Sequence, residues 1–399
     1  MPMPRQLNRL EIAGSLGDLG TLLPLAIGMI VINGLNSSGL LLTIGLFYIL
    51  AGWYYQLPMP VQPMKVIGAY AVATGMSALE IQASGLLMGM FLLIIGLTGM
   101  IDRIRKYIPL PVVRGVQLAT GALLMAQGVR FIAGASGYQT LQGMAEPFLR
   151  AQTLAGMPIG LIIGMAGAML TLLLIENKRL PAGLMIVGLG LVIGLVVGTH
   201  AGFENVSIGL YAPAWFPFGF PAKADFAFVL FALVLPQIPM TLGNAVIANA
   251  DLAQTYFGAN ARRVTPRALC LSMGLANVFS CCVGGMPLCH GAGGLAAHYR
   301  FGARTAVSNM FIGVVFMALA LFFGPHAVAI LHLIPLAVLG ILLFFAGSQL
   351  AMAMADINKR ADLFVVLTML GITLAANLAI AFFIGIGLSY ALKWPRLTV

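Results

Sequence analysis

The sequence predicts an all-α polytopic membrane protein. Three observations carry this expectation: sparse charge, apolar runs spread along the whole length, and basic residues gathered in alternate loops. Of the 399 residues, 60% are apolar and 8% charged, and mean hydropathy is +1.01. A soluble domain carries roughly 25% charged residues, because water must dissolve its surface. With a third of that charge, most of this surface must face lipid. A span takes about 20 predominantly apolar residues, so the chain has room for roughly ten to fourteen helices and is expected to hold no soluble domain.

Gly, Pro and charge clusters divide the apolar runs into fourteen segments, at about 11–32, 39–57, 62–78, 84–101, 111–133, 156–175, 181–199, 226–249, 268–284, 289–299, 305–323, 327–350, 363–376 and 378–392. Several are too short to cross alone. The positive-inside rule tests their parity. Fourteen crossings put Arg5, Arg9, Arg103, Arg105, Lys106, Arg114, Lys178, Arg179, Arg262, Arg263, Arg267, Arg300, Arg304, Lys359, Arg360, Lys393 and Arg396 on one side, 17 of the 21 Lys and Arg. Only Arg130, Arg150 and Lys223 fall on the other, and Lys65 lies at membrane depth. Both termini are then cytoplasmic. Compact loops and an N-terminus without a cleavable signal pattern point to a bacterial inner membrane.

The same placement accounts for the net charge of +10 without nucleic acid, whose binding face would be dense in Lys and Arg. Cys270, Cys281, Cys282 and Cys289 share one apolar stretch, and the adjacent pair would bridge poorly, so no disulfide framework is expected.

Fourteen segments divide into seven plus seven. An odd number per half inverts the second half in the membrane, the inverted-repeat plan of many secondary transporters. The halves are 1–200 and 226–399. In each, the third segment follows a Met-Pro pair (Met59-Pro60, Met286-Pro287) and is short and interrupted. Paired interruptions of this kind point to a binding site at the repeat interface.

The first interrupted segment holds Pro58, Pro60 and Pro63 within six residues. Each lacks an N–H and disfavours helix in its predecessor. Residues 57–62 are therefore expected to be extended, with a helix starting near Pro63. Non-helical backbone at this depth must be buried in protein or line a cavity. The half-helix end then aims free N–H groups, an anion-binding feature, into the interior. Lys65 adds a full charge there, at a cost of about 2.5–3.5 kcal/mol in a span. A dianion held between helix end and ammonium offsets that cost; snorkelling, or pairing with Asp18, would be the structural alternative.

The second interrupted segment carries Gly284, Gly285, Gly291, Gly293 and Gly294 around Cys289 and His290. Glycines at a helix start let a ligand approach the backbone, or merely let helices pack closely. His290 can donate a hydrogen bond, relay a proton or cap the helix. Two more segments are polar where lipid would not tolerate it. The first contains Asp18 and Thr21 among glycines. The eighth places Gln237, Thr241 and Asn244 at i, i+4 and i+7, on one helix face. Such residues mark function or act as interhelical glue.

At these residues the chain resembles the molybdate transporter family, a branch related to the sulfate permeases. The matching strings are Gly17–Thr21, Pro58–Lys65, Gln237–Ala248, and Met286–Leu295 continuing through Tyr299–Arg304. The resemblance spans nearly the whole chain. It implies a seven-plus-seven fold with a core domain (about 11–101 plus 226–323) and a gate domain (about 111–199 plus 327–392). It also implies an oxyanion between the starts of segments three and ten, beside Gln62, Pro63, Met64, Lys65, Cys289, His290 and Gly291, with Gln237 and Asn244 opposite. Asp18, Thr21 and Thr241 are left as coupling or structural residues. His298 departs from the glutamine expected in this pattern. The chain ends at Val399 and is expected to lack the regulatory domain common in sulfate permeases.

The expected function is secondary transport of molybdate, with no enzyme activity, cofactor or metal; a homodimer is compatible with the sequence. Sulfate or another oxyanion, or a channel of the same fold, is the alternative. A nucleobase–proton symporter would want carboxylates in segments eight and ten, which are absent. A soft-metal site on Cys281, Cys282, Cys289 and His290 would suit thiolate and imidazole chemistry, but the cysteines lack a C-x-x-C spacing.

Overall fold

The computed structural model describes residues 7–101, 109–177, 180–200, 202–221, 224–394 and 397. Arg5, Arg103, Arg105, Lys106, Lys178, Arg179, Lys223 and Arg396, used above for topology, lie outside the described residues. The chain is a helical membrane-type fold. The first half comprises α1 (Arg9–Ser15), α2 (Leu19–Val31), α3 (Ser37–Tyr55), strand β1 (Gln62–Pro63), α4 (Lys65–Thr74), α5 (Ala78–Thr98), α6 (Leu110–Ala133), a hairpin of β2 (Thr153–Leu154) and β3 (Met157–Pro158), α7 (Ile159–Leu174) and α8 (Ala182–Val197). The second half comprises α9 (Phe226–Ala261), α10 (Pro266–Cys282), β4 (Leu288–Cys289), α11 (Ala292–Arg300), α12 (Val307–Phe323), α13 (Leu336–Ala351), α14 (Arg360–Ala375) and α15 (Leu378–Ala391).

Every expected segment coincides with helix, but six helices, or seven if α1 and α2 count as one bent span, are long and apolar enough to cross by length and composition. Outside the eighth segment, bounds shift by up to six residues, as at α5, which starts at Ala78 rather than 84, and three segments also differ in form. The first is bent by 42° between α1 and α2, where Gly17 packs so closely on α11 that an added Cβ would stand 2.9 Å from the Ala297 carbonyl. The eighth runs on to Ala261 and contains two π-helical stretches, Leu230–Val234 and Thr241–Ala248. The twelfth is broken before α13, because Pro335 offers no N–H and disfavours helix at Ile334.

Helix packing pairs α3 with α12, α5 with α10, and α6 with α13. Small residues make these approaches close: a Cβ on Gly340 would stand 2.6 Å from the Gly128 carbonyl, and one on Gly313 2.9 Å from that of Gly45. Helices without Leu-sized spacers pack by van der Waals contact of their backbones, which lipid cannot replace. The start of α13 is fixed from the loop after α6. Both carboxylate oxygens of buried Glu146 accept from its first turn, from Leu336 N at 2.9 Å and Ala337 N at 2.7 Å. Burial pushes this carboxyl up to about 7, against the pull of those two N–H groups.

Candidate functional site

The two interrupted segments meet. β1 and β4 pair antiparallel, Gln62 opposite Cys289 and Pro63 opposite Leu288, and Met64 N donates to the Pro287 carbonyl at 2.8 Å. Leu57–Val61 is non-helical, as its prolines dictate. Pro63, however, lies in the strand rather than in the first helical turn, and α4 starts at Lys65. The pairing with β4 holds Pro63 extended and consumes the Met64 N–H. On the other side Cys289 is likewise in a strand, and α11 starts at Ala292 after the N-cap Gly291.

A cavity of about 480 Å³ opens beside these starts. One wall comes from α2 (Gly20, Thr21, Leu25), Lys65 of α4, Met240 and Asn244 of α9, and Gly293, Ala297 and Arg300 of α11; the other from α6, α7, α8 and α13. Of the residues singled out in the sequence, Thr21, Lys65 and Asn244 line it. The remainder sit behind the wall.

Their partners show what they do there. Gln237 is 1% exposed, and its Oε1 accepts from Val66 N at 2.9 Å and Ile67 N at 3.2 Å. Its Nε2 donates to Thr241 Oγ1 at 2.9 Å. A neutral amide oxygen thus takes two of the first-turn donors of α4 that the sequence assigned to an anion. Gln237 and Thr241 share a face as expected, but Asn244 does not join them. The π-helical stretch from Thr241 changes the residues-per-turn count, so Asn244 lines the cavity with Met240 instead.

His290 is 0% exposed, with Nδ1 at 2.7 Å from the Pro60 carbonyl and Nε2 at 3.2 Å from Ser272 Oγ. Its ring lies between Phe47 and Tyr55, centroids at 4.5 and 5.6 Å. Both ring nitrogens are used in holding β4 to its surroundings, away from the cavity wall. Cys289 Sγ faces the Pro63 carbonyl at 3.6 Å. No three His, Cys, Asp or Glu side chains stand together as a metal site among the described residues. Gly291 is packed against Gln62 Oε1, where a Cβ would collide.

Asp18 does not pair with Lys65: among the described residues the ion pair present is Arg114–Asp356. Its Oδ1 instead accepts from Gln62 Nε2 at 2.6 Å. Met64 is 1% exposed and supplies backbone only.

Sequence reasoning missed Gln117, Gln349 and Arg300, and named Gly293 only as one of several glycines at the second helix start; all four line the cavity. A Cβ on Gly293 would meet nothing within 4 Å, so this glycine, rather than Gly291, opens the second helix start to the cavity. Arg300 was read only as a topological charge. The signal was present: Gly293, Ala296, Ala297 and Arg300 fall at i, i+3, i+4 and i+7, one face of α11, small residues leading to a cation. Arg300 Nη2 also donates to the Glu176 carbonyl at 2.8 Å.

A family model described as "Molybdate transporter of MFS superfamily" matches residues 10–124 and 229–350, more than half of the chain and both interrupted segments. The chain belongs to the molybdate transporter family. Among its relatives, "Molybdate transporter 2" of Arabidopsis thaliana is 32% identical over 415 residues, covering 96% of this chain and 87% of the relative. "Molybdate transporter 1" of Chlamydomonas reinhardtii is 31% identical, covering 98% and 95%. Both come from photosynthetic eukaryotes, which gives the expected bacterial inner membrane no support.

The fold is that of SLC26-type transporters. SLC26A9 superposes with a TM-score of 0.65 at 14% identity, covering 96% of this chain and 65% of its own length. The transmembrane domain of the cyanobacterial bicarbonate transporter BicA gives 0.63 at 16%, covering 96% and 97%. The chain thus spans just under two thirds of that SLC26A9 chain. This molybdate transporter family member is an integral membrane protein and not an enzyme.

Proposed function

We propose that this member of the molybdate transporter family is a secondary transporter that carries molybdate by moving a core domain against a gate domain. One observation carries the reading: β1–β4 pairing sets the starts of α4 and α11 side by side at a cavity whose lining includes Lys65 and, further along α11, Arg300. A doubly negative tetrahedral guest meets an ammonium, the Asn244 amide, and the backbone at Gly293. The positive end of α11 adds to this.

Fourteen crossings in two inverted halves of seven fit the packing. Segments two and eleven (α3, α12) pair, as do four and nine (α5, α10), and each pair is the image of the other under a seven-segment shift. Segments three and ten, and five and twelve, are their own images. The cavity walls also divide as a core (about 11–101 plus 226–323) and gate (about 111–199 plus 327–392) would. The cavity residues Ile175, Pro181, Arg300 and Ala353 then stand at the basic side, which is cytoplasmic with both termini inside.

Gln62, Pro63, Met64, Cys289, His290, Gly291, Gln237 and Thr241 act in this scheme as the frame holding the two helix starts together. Shape and charge alone do not separate molybdate from sulfate or tungstate, and a channel of this fold is the competing mode. Tracer uptake into vesicles containing the full chain tests both points. Molybdate is expected to saturate uptake and be displaced poorly by sulfate. Equal competition by sulfate would remove the molybdate assignment, and non-saturating electrical conductance would replace transport with a channel.

A further inference from the structure

We propose that Asp18 is a proton-binding site linked to the anion, and that the Gln62 carboxamide relays its protonation state to the cavity floor. This rests on the oxyanion-transport reading and adds its co-ion.

Asp18 sits at the bend between α1 and α2 and is 1% exposed. Thr21, whose backbone N–H donates to the Asp18 carbonyl at 3.0 Å, lines the cavity. Asp18 Oδ2 has no hydrogen-bond partner among the described residues, so this carboxylate lies one residue behind the cavity wall with an oxygen free to take a proton. The charged and titratable groups around it are Lys65 from α4, Tyr48 from α3 and Cys289 from β4. From α11, Gly294 abuts Oδ2, and His298 stacks on Tyr48 with centroids 6.1 Å apart.

Gln62 is 0% exposed and donates Nε2 to Asp18 Oδ1 at 2.6 Å. Its other end is left short. Among the described residues no donor reaches Gln62 Oε1, which is pressed against Gly291, with Asn244 Nδ2 next to the same glycine. A buried carbonyl without a donor is unfavourable, and here it lies against Gly291, whose next neighbour is the Nδ2 of the cavity residue Asn244. An ionised Asp18 enforces this orientation, because a carboxylate only accepts.

A protonated Asp18 reverses it. One proton from water binds the carboxylate, and the new O–H donates to Gln62 Oε1. The amide turns, and its two N–H groups face Gly291 and Asn244, ready to donate toward the anion. No other bond forms or breaks, and the proton leaves to water on the far side as the anion departs. Each proton carried also removes one charge from the load that a dianion would otherwise drive against a negative interior.

The test measures molybdate binding to the purified full chain at about pH 6.5, 7.5 and 8.5, with proton uptake read by an indicator dye in weak buffer. The wild type is expected to lose affinity up to ~tenfold per pH unit as pH rises, and to take up about one proton per molybdate at the upper end. D18N, whose amide donates to Gln62 Oε1 at every pH, is expected to bind without pH dependence and without proton uptake. Q62L is expected to bind weakly at every pH, with the slope largely gone.

A wild type with neither slope nor proton uptake overturns the proposal, as does D18N keeping the wild-type slope. A Q62L slope equal to wild type overturns the relay. If D18N fails to fold, wild-type proton uptake and the Q62L slope still decide. Absence of molybdate binding at any pH sinks the oxyanion reading and this inference with it, whereas binding without linkage sinks this inference alone.

Discussion

The starts of α4 and α11 are built alike in topology and differently in chemistry. Each follows a Met-Pro pair and a two-residue strand, and the strands pair with one another. The α4 start carries Lys65, and its first-turn donors at Val66 and Ile67 are taken by Gln237. The α11 start carries no charge and is capped by Gly291, with Gly293 open to the cavity. One end therefore attracts through a full charge whose helix amides are already satisfied. The other offers backbone that a ligand can approach. Charge and approach are thus divided between the two helix starts, so the proposed site is complete only where they meet.

This contrast can be broken at the charged end first. Lys65→Met is expected to cost about 2–5 kcal/mol of molybdate binding, the range for losing one partner of a desolvated charge pair. Equilibrium binding with a parallel melting curve checks it; the fold should persist, since Met fills similar volume. Next comes the open end. Gly293→Val places a side chain where nothing now stands, and affinity should fall at least about tenfold, or about 1.4 kcal/mol, with melting little changed. Gly291→Val is the contrasting control, because it collides with Gln62 and should lower the melting temperature.

Gln237→Ala sharpens the comparison from the other side. It leaves two buried N–H groups without their acceptor, so stability should drop by about 1–3 kcal/mol. Molybdate affinity should change by less than the Lys65→Met effect; a larger loss would put Gln237 in direct contact with the anion. The smallest effect is expected for Arg300→Gln. A cation in a charged approach acts mainly on association rate and its salt dependence. Stopped-flow binding should show a several-fold slower on-rate at low salt and a shallower salt dependence, with dissociation nearly unchanged.

Much of the architecture was legible in the sequence, for a physical reason. Proline cannot hide its missing N–H, so Pro58, Pro60 and Pro63 announced the extended stretch, and Gly291–Gly294 announced a helix start with little side chain. What failed was register. Pairing of two strands only two residues long leaves no alternation to detect, so the helix starts were read two or three residues early. The π-helical stretch at Thr241–Ala248 broke the 3.6-residue count, and Asn244 was grouped with Gln237 although they face different neighbours.

Residue type also misled. Gln237 and His290 are polar at membrane depth, which marks function and framework equally. Only their partners, the α4 amides for one and the Pro60 carbonyl and Ser272 for the other, show them holding the frame. Arg300 was counted for topology because a cation near a loop satisfies the positive-inside rule, and that rule is silent on whether the same cation faces a cavity.

The most direct measurement is anomalous diffraction from crystals of the full chain grown with molybdate, which locates molybdenum without assuming a pose. A peak is expected in the cavity between the α4 and α11 starts, with the anion's oxygens about 3 Å from Lys65 Nζ and against the Gly293 backbone. A molybdenum peak elsewhere, such as the separate groove lined by Arg262, Arg263 and Arg304, with none beside Lys65, would contradict it.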